Sequence, residues 1–197
     1  MRRLLLLGCA VALSACALFR RSDAPRFFDP ESAARAQEAV DPPVEPASTR
    51  VAVRLGPVRS SNYRRDRIVW RSSDVELGLY EDRRWTDLPS RYVERALARE
   101  LYDRRGIRRA TGPSAATLTA DVVAFDDVVA PTREAYVAIV VTLVGADQRQ
   151  LLVREFSARS PVAGRDPASV ARAMGVALDD CVSQIGSAVE AALPRAS

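Results

Sequence analysis

The sequence predicts an α+β fold, a largely antiparallel sheet of five to six strands with two helices packed on one face as a two-layer sandwich. Three observations predict it. Apolar residues alternate with polar ones in short runs between residues 51 and 158, the period of a strand with one buried face. Two stretches, 89–105 and 167–193, carry apolar residues every three to four positions, the period of a helix. The strands follow one another too closely for parallel neighbours, which need a crossover of a dozen or more residues.

The elements follow in order. Val51, Val53 and Leu55 alternate as a strand that Gly56-Pro57 is expected to break. Ile68-Val69-Trp70 reads as a short strand; Val75, Leu77 and Leu79 make another, ending at Tyr80, and the three together suggest a meander. Pro89 suits the first turn of a helix, a position that needs no amide donor. Tyr92, Val93, Ala96, Leu97 and Leu101 form its apolar stripe, and Gly106 is placed to end it. Glu100 and Arg104, four apart, are expected to pair on its solvent face. Three strands come next: Leu118 to Val129, stopped by Pro131; Ala135 to Val144; and Leu151 to Ala158 after a tight Gly145-Ala146-Asp147 turn. The middle one is apolar on both faces, which suits a central strand and also self-association. Asp166 caps and Pro167 opens the longest helix, whose stripe runs from Val170 and Met174 through Cys181 and Ile185 to Ala192. Gly175 and Gly186 weaken a helix by about 1 kcal/mol each, a cost that close approach of helix to sheet could offset.

The first 15 residues read as a signal peptide: Met1-Arg2-Arg3 is positive and Leu4 to Leu13 is a short apolar run. Leu13-Ser14-Ala15-Cys16 resembles a bacterial lipobox, so Cys16 is the expected site of lipidation, carrying acyl chains such as palmitate. The run is too short to span a membrane, which takes about 20 apolar residues. Ala17 stands where lipoproteins kept in the inner membrane usually carry Asp, so by that resemblance the anchor lies in the outer membrane, facing the periplasm. Residues 16–49 form a tether rich in proline, and residues 50–197 a single domain. As a flexible coil of ~33 residues the tether averages roughly 30 Å end to end, which lets the head stand clear of the membrane. Arg26-Phe27-Phe28 interrupts it and is expected to dock on the head, an edge strand being one form of docking.

Composition narrows the chemistry. The formal net charge of +4 falls to +2 when Arg2 and Arg3 leave with the signal, which gives no reason to invoke nucleic acid. Histidine, the commonest general base and metal ligand, is absent from the sequence. With Cys16 lipidated and Cys9 removed with the signal, Cys181 has no intramolecular partner and reads as a buried thiol. No Gly-x-Ser-x-Gly elbow, phosphate loop or Cys-x-x-Cys occurs, so neither an enzyme nor a cofactor nor a metal site is expected. Asp126-Asp127 and Asp179-Asp180 are adjacent, and adjacent side chains point different ways, so neither pair makes an acid/base site by itself. Recognition is the better expectation. Tyr63, Arg64, Arg67 and Trp85 are the candidate partner contacts, since aromatics and Arg dominate interface hot spots. A bland reading of Trp85 is that it plugs the end of the sheet.

Taken in order, these segments resemble the ABC-type transport auxiliary lipoproteins, the family of paraquat-inducible protein C. The likeness rests on Arg26-Phe27-Phe28, Gly56-Pro57-Val58, the Tyr63, Asp66, Arg67, Ile68 and Val69 segment, Glu76-Leu77, and Arg84-Trp85. Ser61-Asn62 and Arg64 depart from the family's usual Leu-Pro and Leu. The resemblance implies a non-catalytic subunit that works beside an ABC permease complex and a mammalian-cell-entry-type periplasmic protein, moving lipid between inner and outer membranes. A homo-oligomer is compatible with it. The alternatives are a periplasmic lipid-binding carrier and a lipoprotein activator of an envelope-assembly enzyme.

Overall fold

The computed structural model describes residues 24–31, 52–61, 65–112 and 115–193. Eight strands form one mixed sheet. They are β1 (Arg26–Phe28), β2 (Ala52–Ser60), β3 (Arg67–Arg71), β4 (Leu77–Trp85), β5 (Arg108–Arg109), β6 (Ala116–Val128), β7 (Glu134–Val144) and β8 (Gln150–Pro161). Helix α1 (Pro89–Ala98) continues into a π turn at Arg99–Arg104, and α2 spans Pro167–Ala192.

The long strand β6 organises the sheet. β7 runs antiparallel along one side of it, from Thr117↔Val144 to Val128↔Glu134. The other side is shared: β2 lies parallel to the first half and β3 parallel to the second. The sheet therefore forks, with β5 beyond β2 and with β4 and then β1 beyond β3. The expectation of a largely antiparallel sheet of five to six strands is corrected here. β1–β4, β2–β5, β2–β6 and β3–β6 are parallel, while β3–β4, β6–β7 and β7–β8 are antiparallel. Short spacings speak only for strands adjacent in sequence. β2 and β3 instead wait for β6, and the intervening chain with α1 supplies the crossover that parallel pairing needs. The predicted meander is thus reduced to the β3–β4 hairpin.

Gly56-Pro57 does not end β2. The pairing with β6 jumps from Leu55 to Val58, a bulge that absorbs both residues. A Cβ at Gly56 would lie 3.0 and 3.1 Å from the methyls of Thr119 and Thr117, a tight fit that obliges those side chains to give way. Likewise β4 runs past Tyr80 to Trp85.

α1 packs on β2 and β6, α2 on β7 and β8, and the helices touch each other. Between them and the sheet, Leu118, Ile139, Leu143, Met174, Leu178 and Ile185 are fully buried. Each such side chain stabilises the fold by about 1.5–3 kcal/mol relative to exposure. Pro89 opens α1, and the Asp166 carboxylate caps α2 by accepting from the Ser169 amide at 3.0 Å. Gly106 closes the π turn at φ 62°, a left-handed conformation that favours glycine. The Glu100–Arg104 pair exists at 3.5 Å but not on a solvent face: Glu100 is 3% exposed and its nearer partner is Arg105, at 2.6 Å. A π turn carries more residues than an α turn, so helical spacing misplaces the face.

The glycines of α2 answer to other neighbours than the sheet. A Cβ on Gly186 would fall 2.4 Å from Arg105 Nε and 2.7 Å from Glu100 Oε1. At Gly175 the obstacle is a backbone oxygen, that of Pro30 at 2.4 Å. That oxygen belongs to the docked segment 24–31. β1 pairs in parallel with β4, Phe28 opposite Trp85, and Glu31 follows into the interior at 2% exposure. Glu31 accepts from Arg95 Nε at 2.8 Å and Arg99 Nη1 at 3.0 Å.

Candidate partner-docking surface

Of the residues expected to carry function, Cys16, Tyr63 and Arg64 lie outside the described residues. Arg67 opens β3 with its side chain exposed, paired through the backbone with Arg84. Beside it the Asp66 carboxylate meets Arg84 at 3.4 Å, and the Asp66 carbonyl accepts the Trp85 amide.

Trp85 is not a surface anchor. It is 1% exposed and makes edge contacts with Phe125 at 5.4 Å and Tyr92 at 6.4 Å between ring centroids. It ends β4 beyond a register shift in the pairing with β3, and Tyr92 of α1 packs against it. The Tyr92 hydroxyl also bonds Thr86 Oγ1 at 2.7 Å and accepts the Asp87 amide at 2.9 Å, which fixes the turn from β4 into α1. Burial holds the Tyr92 phenol above its usual range, against the pull of those two hydrogen bonds.

The adjacent acids are separated as the strand period requires. Asp126 accepts from Arg71 Nε and Nη2 at 3.1 and 2.9 Å. Asp127 accepts from Arg133 Nε and Nη2 at 3.0 and 2.6 Å and from the Tyr80 hydroxyl at 2.9 Å. Both carboxylates are fully buried and each is matched by its own guanidinium, the arrangement of a structural ion pair. Burial first, and then the Asp127 charge, raises the Tyr80 phenol above its ordinary value. The Arg partners were not legible as such, because Arg71 and Arg133 reach the acids from other elements. Among the described residues no group of three acid, His or Cys side chains is placed to hold a metal.

What the described surface does offer is edges. Among the described residues β8 pairs with β7 alone and β1 with β4 alone, and no described strand pairs with the outer side of either. β8 is the longer, at 12 residues. Arg154, Glu155 and Arg159 are exposed on it, charges that discourage indiscriminate pairing, while Val153 is 50% exposed.

Residues 35–186 match the family described as the ABC-type transport auxiliary lipoprotein component. The chain belongs to this family. The auxiliary lipoprotein also shares its fold with solved structures. A protein from Xanthomonas campestris is 20% identical, with a TM-score of 0.65, over 86% of this chain and 94% of that one. A hypothetical protein from Chlamydia trachomatis is 10% identical, with a TM-score of 0.50, over 72% of this chain and 96% of that one. Among curated proteins none matches the chain. No helix of the described residues is long and apolar enough to cross a membrane.

Proposed function

We propose that this auxiliary lipoprotein is a non-catalytic subunit, anchored through Cys16 in the outer membrane and facing the periplasm. It serves an ABC-type, mammalian-cell-entry lipid transport system between the two membranes. The observation that carries the reading is the family match over residues 35–186. Its partners in this reading are the ABC permease complex and a mammalian-cell-entry-type periplasmic protein. Contact is made by Tyr63, Arg64 and Arg67, and by the outer edge of β8, which accepts a partner strand. Self-association through that same edge is compatible with the reading.

The test is affinity capture from envelope membranes solubilised in mild detergent. Co-purification of a permease and a mammalian-cell-entry-type protein is expected, weakened by R64A/R67A with no change in thermal stability. Capture that recovers the chain without either partner overturns the proposal.

A further inference from the structure

We infer that the head docks on the lipid surface in one orientation, with the end of the sheet built around Arg71 against the bilayer. This rests on the anchoring proposed at Cys16 and goes beyond it, since acylation alone selects no side of the domain.

Three large apolar side chains are exposed at that end. Val75 is 95% exposed, more than any other large apolar residue described, and Leu77 and Val129 are also open to solvent. Backbone pairing gathers them about one residue. Arg71 lies opposite Leu77 in the β3–β4 hairpin and beside Val128 of β6, and its carbonyl accepts the Val129 amide at 2.8 Å. The Ser72 amide donates to the Glu76 carbonyl at 3.2 Å, which folds the turn that carries Val75. Ala130 and Pro131 extend the patch through the β6–β7 turn, and both are exposed. Apolar residues scattered singly over a surface need no explanation, whereas a cluster at one tip marks a contact.

The direction of β1 says what covers the tip. β1 runs parallel to the end of β4, Arg26 opposite Arg83 and Phe28 opposite Trp85. β4 begins at Leu77, so the chain ahead of Arg26 enters from the Leu77 end of the sheet. Acyl chains on Cys16, ten residues earlier, therefore approach from the side of the Arg71 tip. The distances agree. Arg67 lies opposite Arg84 and Arg71 opposite Leu77, so about four residues of strand, roughly 13 Å, separate the level of β1 from the tip. A coil of about ten residues averages roughly 17 Å end to end. The tip thus reaches the surface that holds the acyl chains. Once the head is tethered, a weak apolar contact stays occupied, because the effective concentration of the surface is high.

Asp74 and Glu76 flank Val75 and are exposed. Anionic headgroups repel them, whereas the ammonium groups of zwitterionic headgroups attract them, so the leaflet this tip fits is zwitterionic. The other end of the sheet, with Arg67 at the start of β3 and Ala146 in the β7–β8 turn, then points away from the bilayer.

Bromolipid quenching tests the orientation on the chain purified from envelope membranes and reconstituted into vesicles of phosphatidylethanolamine and phosphatidylcholine. V75W and A146W add one tryptophan at either end of the sheet, and the native chain supplies the background of Trp70 and Trp85. In brominated vesicles the added emission of V75W is expected to be lost and that of A146W kept. V129D in the V75W chain is expected to restore the lost emission. Mass spectrometry of the same protein reads acylation at Cys16 separately. An acylated chain in which V75W is quenched no more than A146W overturns the orientation alone. A chain without acyl groups fails the anchoring reading and the orientation with it.

Discussion

The carbonyl oxygen of Pro30 occupies the space where a Cβ on Gly175 would stand, 2.4 Å from it. One residue of the segment ahead of the domain is thereby seated against the middle of α2, and the helix accepts a poor helix former to receive it. Gly175→Val is expected to destabilise the protein by about 1–3 kcal/mol, although the helix itself gains from losing a glycine. Urea unfolding measures the loss, and hydrogen exchange shows residues 26–28 opening first. A variant more stable than the native chain would contradict this contact.

Glu31 secures the same segment by charge. Its carboxylate is 3% exposed and holds Arg95 and Arg99. Glu31→Ala is expected to cost about 3 kcal/mol, because Arg99 is left without that counter-ion in a mostly buried position. Proteolysis near residue 28 should accelerate in step with the loss of stability.

The Asp127 cluster is a structural lock between β4, β6 and the start of β7. Asp127→Asn is expected to lose about 3–5 kcal/mol by stranding Arg133. Tyr80→Phe is expected to lose only about 1 kcal/mol, since Arg133 still satisfies the carboxylate. Chemical denaturation of both variants checks the ratio; equal losses would show that the phenol, not the ion pair, carries the cluster.

Cys181 is fully buried in α2, its thiol 3.5 Å from the Phe156 carbonyl. Burial, and secondarily the Asp180 charge, pushes the thiol from its ordinary 9.0 up to about 12. Because the folded value lies above the unfolded one, the stability linked to this thiol is fully present below pH 9 and is lost as the pH rises towards 12. Native protein at pH 8 should resist iodoacetamide, and Cys181→Ala should show a shallower alkaline decline in urea midpoint. Rapid labelling without denaturant would disprove the burial.

Trp85 and Arg67 should separate stability from recognition. Trp85→Ala is expected to cost about 3–5 kcal/mol through a large core cavity. Arg67→Ala should leave the thermal midpoint within about 1 °C, since an exposed charge away from the core contributes little. Differential scanning calorimetry beside the capture experiment distinguishes the two effects.

Elements set by local periodicity were legible. α2, from the Asp166 cap to the stripe through Cys181, and the pairing of β7 between two neighbours follow from residues close in sequence. What failed depended on remote partners. The parallel pairing of β2 with β6 joins residues about sixty positions apart, and no spacing inside β2 signals it. Gly56-Pro57 looked like a terminator because a bulge and a turn use the same residues. β5, two arginines long, carries no apolar pattern, yet it pairs in parallel with β2. Trp85 reads from the sequence both as a partner contact, by its arginine neighbours, and as a plug at the end of the sheet; its burial against Phe125 and Tyr92 matches the plug.

The docking of β1 changes the mechanics of anchoring. Were Cys16 to carry acyl chains as proposed, only about ten residues would separate the bilayer from the first paired residue, Arg26, a maximum reach of about 35 Å and a typical one nearer 17 Å. Glu31 and Ala52 both belong to the described head, so the chain between them adds nothing to that distance. On the anchoring proposed at Cys16, the head would ride close to the lipid surface, and a partner would have to come to the membrane to find it.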